Sequence, residues 1–263
     1  MKNELPKSIS HIVHTYAEQL HQLLPHKLVG VYLYGSISLG GYEEGKSDID
    51  FVTILTKELT TEESLAIDEL HRKLKDELPL AAKLDGVYVT EADVGKTNAE
   101  LRPYPYCAEG VFHASGHWDL NHVTWWLLHH HGLTIVGRDC AALTIGVAWG
   151  DVMETMQVNL TQYWEKKSSQ LLLFLADEWV EFAVLTMCRI YDTVTHQRIV
   201  TKTKAAEEAI AALPQRWHPL IKEALRLRQS HEGSPATMNR MKRAVETRAF
   251  IRELIPICKS RLT

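Results

Sequence analysis

The sequence predicts an α+β protein in two parts: a small domain of strands and helices over residues 1–110, and an all-helical domain over 111–263. Three observations carry this reading. Two short apolar runs, 28–34 and 51–55, flank a glycine-rich loop. Amphipathic helical patterns stand before and after that pair, and a third strand-like run covers 81–90. Beyond residue 119 the apolar positions recur at helical spacing, punctuated by proline and glycine.

Ile9, Ile12, Val13, Tyr16, Ala17 and Leu20 form a helical stripe that Pro25 ends. The runs Leu28 to Tyr34 and Phe51 to Leu55 are short, rich in β-branched and aromatic residues, and bounded by turn residues, as buried strands are. Thr60-Thr61-Glu62-Glu63 opens a helix with a threonine cap and early acidic residues; it continues to about Leu78 and Pro79 breaks it. Ala81 to Thr90 reads as a third strand. Residues 91–118, with Pro103, Pro105 and several aromatic side chains including Trp118, read as the crossing between domains and part of a cleft wall. Helices are expected at 119–131, 149–168, 177–195, 202–213, 219–229 and 236–255, with Pro214, Gly233-Ser234-Pro235 and Pro256 as breaks. A helical domain beside a small α+β domain creates the kind of cleft that ligands use.

The chemistry concentrates in the loop between the first two strands. Side chains alternate along a strand, so Asp48 and Asp50 share a face. Two carboxylates there repel each other unless a cation sits between them, and Mg²⁺ commonly shares such a site with substrate phosphates. Gly35 lets the backbone approach a phosphate closely, and Ser36 adds a hydroxyl donor. Asp85 interrupts an apolar strand, and a neighbouring strand can deliver it to the same site as a third carboxylate. It would then serve as metal ligand, or as general base toward an attacking hydroxyl. Glu91 and Asp93 are the alternatives for the base. His129, His130 and His131 are consecutive, so on a helix they diverge; they read as a helix C-terminus ahead of Gly132.

Gly35-Ser36 followed by Asp48-x-Asp50 on a strand resembles the signature of the polymerase-β-like nucleotidyltransferase superfamily, and the wording LYGSISLGG…SDIDF is most similar to the aminoglycoside adenylyltransferases of the streptomycin/spectinomycin group. The resemblance implies a small nucleotidyltransferase domain with a mixed sheet, followed by a helical bundle. It also implies transfer of AMP from ATP, with one or two Mg²⁺, to a hydroxyl of a small molecule, and hence antibiotic resistance. Asp48, Asp50 and Asp85 would hold the metal, while Gly35, Ser36 and Ser47 would hold the nucleotide. Where the family commonly has glutamate in a Leu-Glu-Val-Thr-like segment, this chain has the shorter Asp85 in Leu84-Asp85-Gly86-Val87. Residues 183–210 resemble a second family segment; there Thr186, Arg189 and Lys202 match, and Lys202 takes the role of the phosphate-binding lysine, with Lys204 as competitor.

An aminoglycoside carries ammonium groups, so its pocket should offer carboxylates. Asp177, Glu178 and Glu181 lie just before the matched helix, with Trp179 available to stack on a ring; acidic residues in a first helical turn also suit the helix dipole. A net charge of -4 argues against a nucleic-acid surface. Cys107, Cys140, Cys188 and Cys258 show no metal or disulfide spacing, and the sequence has no signal segment or membrane span, which points to the cytoplasm. Two other functions stay open at this stage: modification of a protein or tRNA end by the same chemistry, and a nucleotide-binding regulatory module without activity.

Overall fold

Period-two patterning and one shared hydrophobic face organise the first half of the chain. The computed structural model describes residues 5–229 and 239–262. It divides into two units, residues 1–148 and 149–263. The first holds a six-stranded sheet formed by β1 (Leu28–Leu33), β2 (Ile49–Leu55), β3 (Leu84–Thr90), β4 (Tyr104–Ala108), β5 (Val111–Gly116) and β6 (Leu133–Val136), in the order β5-β4-β3-β2-β1-β6. Only β2 and β3 run parallel; the other neighbours are antiparallel, so the sheet is mixed.

On one face, Ile49, Phe51 and Leu55 of β2 join Leu33, Leu84 and Tyr88 in a core with α1 (Lys7–Leu23) and α3 (Thr61–Glu77), while the one-turn α2 (Gly35–Ser38) follows β1. The helix α1 contributes Ile9, Ile12, Val13, Tyr16 and Leu20, the stripe read from the sequence. Thr60 caps α3 through a reciprocal pair: its hydroxyl accepts from the Glu63 N–H at 3.2 Å, and its own N–H donates to the Glu63 carboxylate at 2.7 Å. Polar groups inside this core are satisfied by one another. Tyr16 bonds Thr53 and Tyr88, each at 2.9 Å, and His71 Nε2 meets the Tyr88 hydroxyl at 2.6 Å.

The expected boundary at 110/111 would fall inside a hairpin. Ala108 pairs with Val111, and Glu109 and Gly110 both have positive φ (51° and 71°), the geometry of a tight two-residue hairpin turn. Strand β5, helix α4 (His122–His131) and strand β6 therefore belong with the sheet, and the second unit begins at Trp149.

That second unit is helical: α5 (Trp149–Val158), a π-helical stretch Asn159–Trp164, α6 (Glu165–Lys167), α7 (Asp177–His196), α8 (Lys202–Ala212), α9 (His218–Gln229) and α10 (Arg240–Lys259). The expected helix over 149–168 thus has a π segment inside it. Pro256 does not end the last helix, which carries it in its final turn. The expected break at 233–235 and the start of the last helix at 236 lie outside the described residues.

Ion pairs made by buried arginines fix the packing of α7, α9 and α10. Arg243, fully buried, bonds Asp177 of α7 and reaches Glu223 of α9 at 3.3 Å; Arg228 reaches Glu181 at 3.0 Å. At the far end of α7, Arg198 grips buried Asp192 with two hydrogen bonds at 2.9 and 3.0 Å.

Candidate active site

The parallel register of β2 and β3 sets Asp50 directly opposite Asp85. Register partners on neighbouring strands point to the same face, and Asp48, two residues before Asp50, shares its parity. This is the face opposite the α1/α3 core. A Cβ built on Gly35 would stand 2.1 Å from Asp50 Oδ2, and Gly35 has φ +69°. Glycine is therefore required here by the Asp50 carboxylate itself, whereas the sequence reading assigned the open space to a phosphate. Gly86 plays a comparable part beside Asp85, since a Cβ there would meet the Phe51 carbonyl at 2.2 Å.

Asp85 is the electrostatically stressed member. Its carboxyl is pushed up to about 6, first by burial; the Trp118 indole N–H opposes this, and the charges of Asp48 and Asp119 add to it. Trp118 donates to Asp85 Oδ1 and is held flat against Tyr106, 5.2 Å between centroids at 9°; Tyr106 in turn stacks on His113 at 4.5 Å. Burial and then the charges of Asp50, Asp119 and Asp85 push the Tyr34 phenol well above its ordinary range, so it stays protonated. Asp48 is more exposed and pairs with Lys83 at 3.5 Å.

As the side chains stand, no three His, Cys, Asp or Glu residues among the described residues converge on a point that would hold a metal ion. Two in-register carboxylates, Asp50 and Asp85, are nevertheless the donor set that Mg²⁺ takes when substrate phosphates complete its shell. Ser36 Oγ, beside Gly35, is buried with no hydrogen-bond partner among the described residues, which suits a hydroxyl that meets a ligand oxygen. The Ser47 hydroxyl is used differently from the expectation: buried, it accepts the Glu43 N–H at 3.1 Å and closes the loop. Both alternatives for the base are engaged elsewhere, Glu91 with Arg138 at 3.2 Å and Asp93 with Lys96 at 2.9 Å. The sequence reading did not single out Lys83, Asp119 or Tyr34. It noted Trp118 only as a cleft aromatic; nothing in its spacing from Asp85 signals their contact.

The expected residues of the second unit lie along α7 and at the start of α8. Asp177 and Glu181 face arginines of the bundle, as described above, and Glu181 also lies 3.8 Å from Lys202 Nζ. Glu178 is exposed in the first turn of α7. Lys202 sits 5.7 Å from the Phe182 ring centroid, while Lys204 pairs along its helix with Glu208 at 3.1 Å. At the end of α4, His130 stacks on Trp126 at 4.2 Å and its Nδ1 bonds the Trp126 carbonyl at 2.9 Å, a helix-terminal role.

Residues 13–97, which include the Gly-Ser turn and the in-register Asp50 and Asp85, match the nucleotidyltransferase domain model. Residues 157–253 match the model of the aminoglycoside adenylyltransferase C-terminal domain. The spectinomycin 9-adenylyltransferase of Campylobacter jejuni is 22% identical over 241 residues, covering 84% of each chain. A crystal structure of a spectinomycin adenyltransferase from Enterococcus faecialis, with ATP and spectinomycin, superposes with a TM-score of 0.67 at 17% identity, covering 92% of this chain and 98% of that one. The chain thus carries a match to the nucleotidyltransferase domain followed by a match to the aminoglycoside adenylyltransferase C-terminal domain, in that order. Among the described residues no helix is long and apolar enough to cross a membrane.

Proposed function

We propose that this enzyme transfers AMP from Mg-ATP to a hydroxyl of an aminoglycoside-like acceptor, spectinomycin or streptomycin first, acting in the cytoplasm as a resistance enzyme. The observation that carries the reading is the Asp50–Asp85 pairing across parallel strands beside Gly35. The acceptor oxygen attacks the α-phosphorus, the bond to the β-phosphate oxygen breaks, and pyrophosphate leaves. Asp85 accepts the proton of the attacking hydroxyl; a carboxyl near 6 is ionised at neutral pH yet basic enough to share that proton. Trp118 fixes the Asp85 rotamer through its indole N–H, and the flat stack on Tyr106 fixes Trp118. Asp48 and Asp50, with Asp85, would hold one or two Mg²⁺. When bound, Mg²⁺ supplies charge neutralisation for the triphosphate and alignment of its oxygens. Asp48, now 3.5 Å from Lys83, would be one of the carboxylates that hold it. Gly35 and Ser36 offer the turn and the free hydroxyl to the phosphates, with Ser47 holding the loop in shape, and Lys202 supplies a cation to the leaving pyrophosphate. On the acceptor side, Trp179 offers a ring and Glu178 an exposed carboxylate, while Asp177 and Glu181 are committed to Arg243 and Arg228.

Spectinomycin leads because both relatives named above are spectinomycin adenylyltransferases. The test is ATP titration with and without Mg²⁺, followed by pyrophosphate release across an acceptor panel. Release with spectinomycin or streptomycin alone is the expected result. Release with tRNA or protein instead, or nucleotide binding with no release, contradicts the proposal.

A further inference from the structure

Lys167 reaches over two aromatic rings. Its Nζ lies 4.6 Å from the Trp179 ring centroid and 5.4 Å from that of Tyr163. Both fall within the roughly 6 Å over which a ring face attracts an ammonium, the geometry of aromatic cages for quaternary amines. The rings belong to one aromatic cluster: buried Trp164 lies 5.1 Å from Tyr163 and 5.5 Å from Phe182, and Phe182 meets Trp179 edge-on at 5.8 Å. Tyr163 and Phe182 remain 38% and 37% exposed. Among the described residues no carboxylate pairs with Lys167. Lys167 and Tyr163 also line a groove of about 460 Å³ with Asn159, Gln162, Lys166 and Gln170, a volume in the range of small-molecule sites. The groove follows the π-helical stretch 159–164, and such stretches are frequent at functional sites.

We propose that Tyr163 and Trp179 form a binding site for the ammonium group of a small ligand, and that Lys167 is its built-in occupant, displaced when the ligand binds. A tethered competitor acts at millimolar effective concentration or above, and apparent affinity falls by the fraction of cages already filled. Lys167 therefore acts as a specificity-determining residue that rejects weakly held amines. Only the ligand's identity, an amine-bearing acceptor, rests on the function proposed above.

The test needs no turnover. Tetramethylammonium chloride is titrated into the full-length protein against sodium chloride at equal ionic strength. Binding is followed at the Trp179 indole N–H resonance, assigned by its loss in Trp179→Phe. Lys167→Ala should bind tetramethylammonium about tenfold tighter than the unaltered protein, since an unmasked cation–π site is worth that factor. Lys167→Arg should restore the weak binding, and Lys167→Ala/Trp179→Leu should abolish the tight binding. The remaining indole resonances report that each variant is folded. Equal affinity with and without Lys167, or tight binding that survives loss of Trp179, overturns the proposal. A silent aminoglycoside panel beside a tenfold gain for tetramethylammonium would support this cage while overturning the acceptor assignment.

Discussion

Asp85 in the first unit and Asp192 in the second are both withdrawn from solvent, yet their proton affinities move in opposite directions. Burial pushes both up, but at Asp192 the hydrogen bonds from Arg198 and His196 overcome it and the carboxyl ends below its ordinary range. At Asp85 the compensating donor is a neutral indole, and the neighbouring charges are Asp48 and Asp119, so the carboxyl rises to about 6. The same contrast runs through both units. Asp177, Glu181 and Glu223 are matched by Arg243, Arg228 and Arg226, all contributed by the bundle itself. Carboxylates with a built-in arginine hold a fold together. A carboxylate served by a neutral donor, as Asp85 is, keeps a charge that a bound cation can offset.

The contrast can be broken most forcefully at Asp50. Asp50→Asn should keep the circular dichroism and melting of the unaltered protein while lowering acceptor-dependent pyrophosphate release by about 10³-fold or more; near-normal turnover would remove Asp50 from the reacting centre. Arg243→Met strips the cation from a fully buried cluster and should cost about 3 kcal/mol or more in urea unfolding. A loss below about 1 kcal/mol would mean that the bundle does not depend on matched charge.

His71 sharpens the comparison from within the first unit, because its environment is buried and neutral. Burial lowers its imidazole to about 4 from an ordinary 6.5. The folded state thus resists protonation that the unfolded chain accepts, so stability is full above pH 6.5 and declines as pH falls toward about 4. The loss should reach about 3 kcal/mol by linkage, and His71→Leu should flatten the slope in that window. Asp85→Asn carries the smallest expected effect and the opposite sign. A carboxyl raised to about 6 is destabilising when ionised, from about pH 6 upward, and that cost vanishes below the ordinary 3.8. The variant should gain roughly 2 kcal/mol near pH 7 and nothing near pH 3, while losing turnover.

Much of the first unit was legible because its signals are local. The Ile9–Leu20 stripe, the apolar runs that became β1 and β2, the Thr60–Glu63 cap and the alternation joining Asp48 to Asp50 each depend on a few neighbouring residues. What escaped reading depends on partners far along the chain or on weak pattern. Strand β4 carries Pro105, which argues against a strand, and β5 is largely exposed, so its apolar content is low. Their turn is Glu-Gly in place of the stronger Asn-Gly or Asp-Gly signal. Helical spacing identified α7, but it does not reveal that Asp177 faces an arginine 66 residues later. Nor does it tell an acceptor contact from a packing charge. The Trp118–Asp85 bond spans 33 residues and is likewise invisible to periodicity.

The most direct test is the relaxation of water protons by Mn²⁺–ATP, with Mn²⁺ standing in for Mg²⁺, measured on three proteins. The unaltered chain and Glu181→Gln should show equal enhancement, and Asp50→Asn/Asp85→Asn should show none. Full enhancement in that double variant would contradict the assignment of the cation to the paired strands.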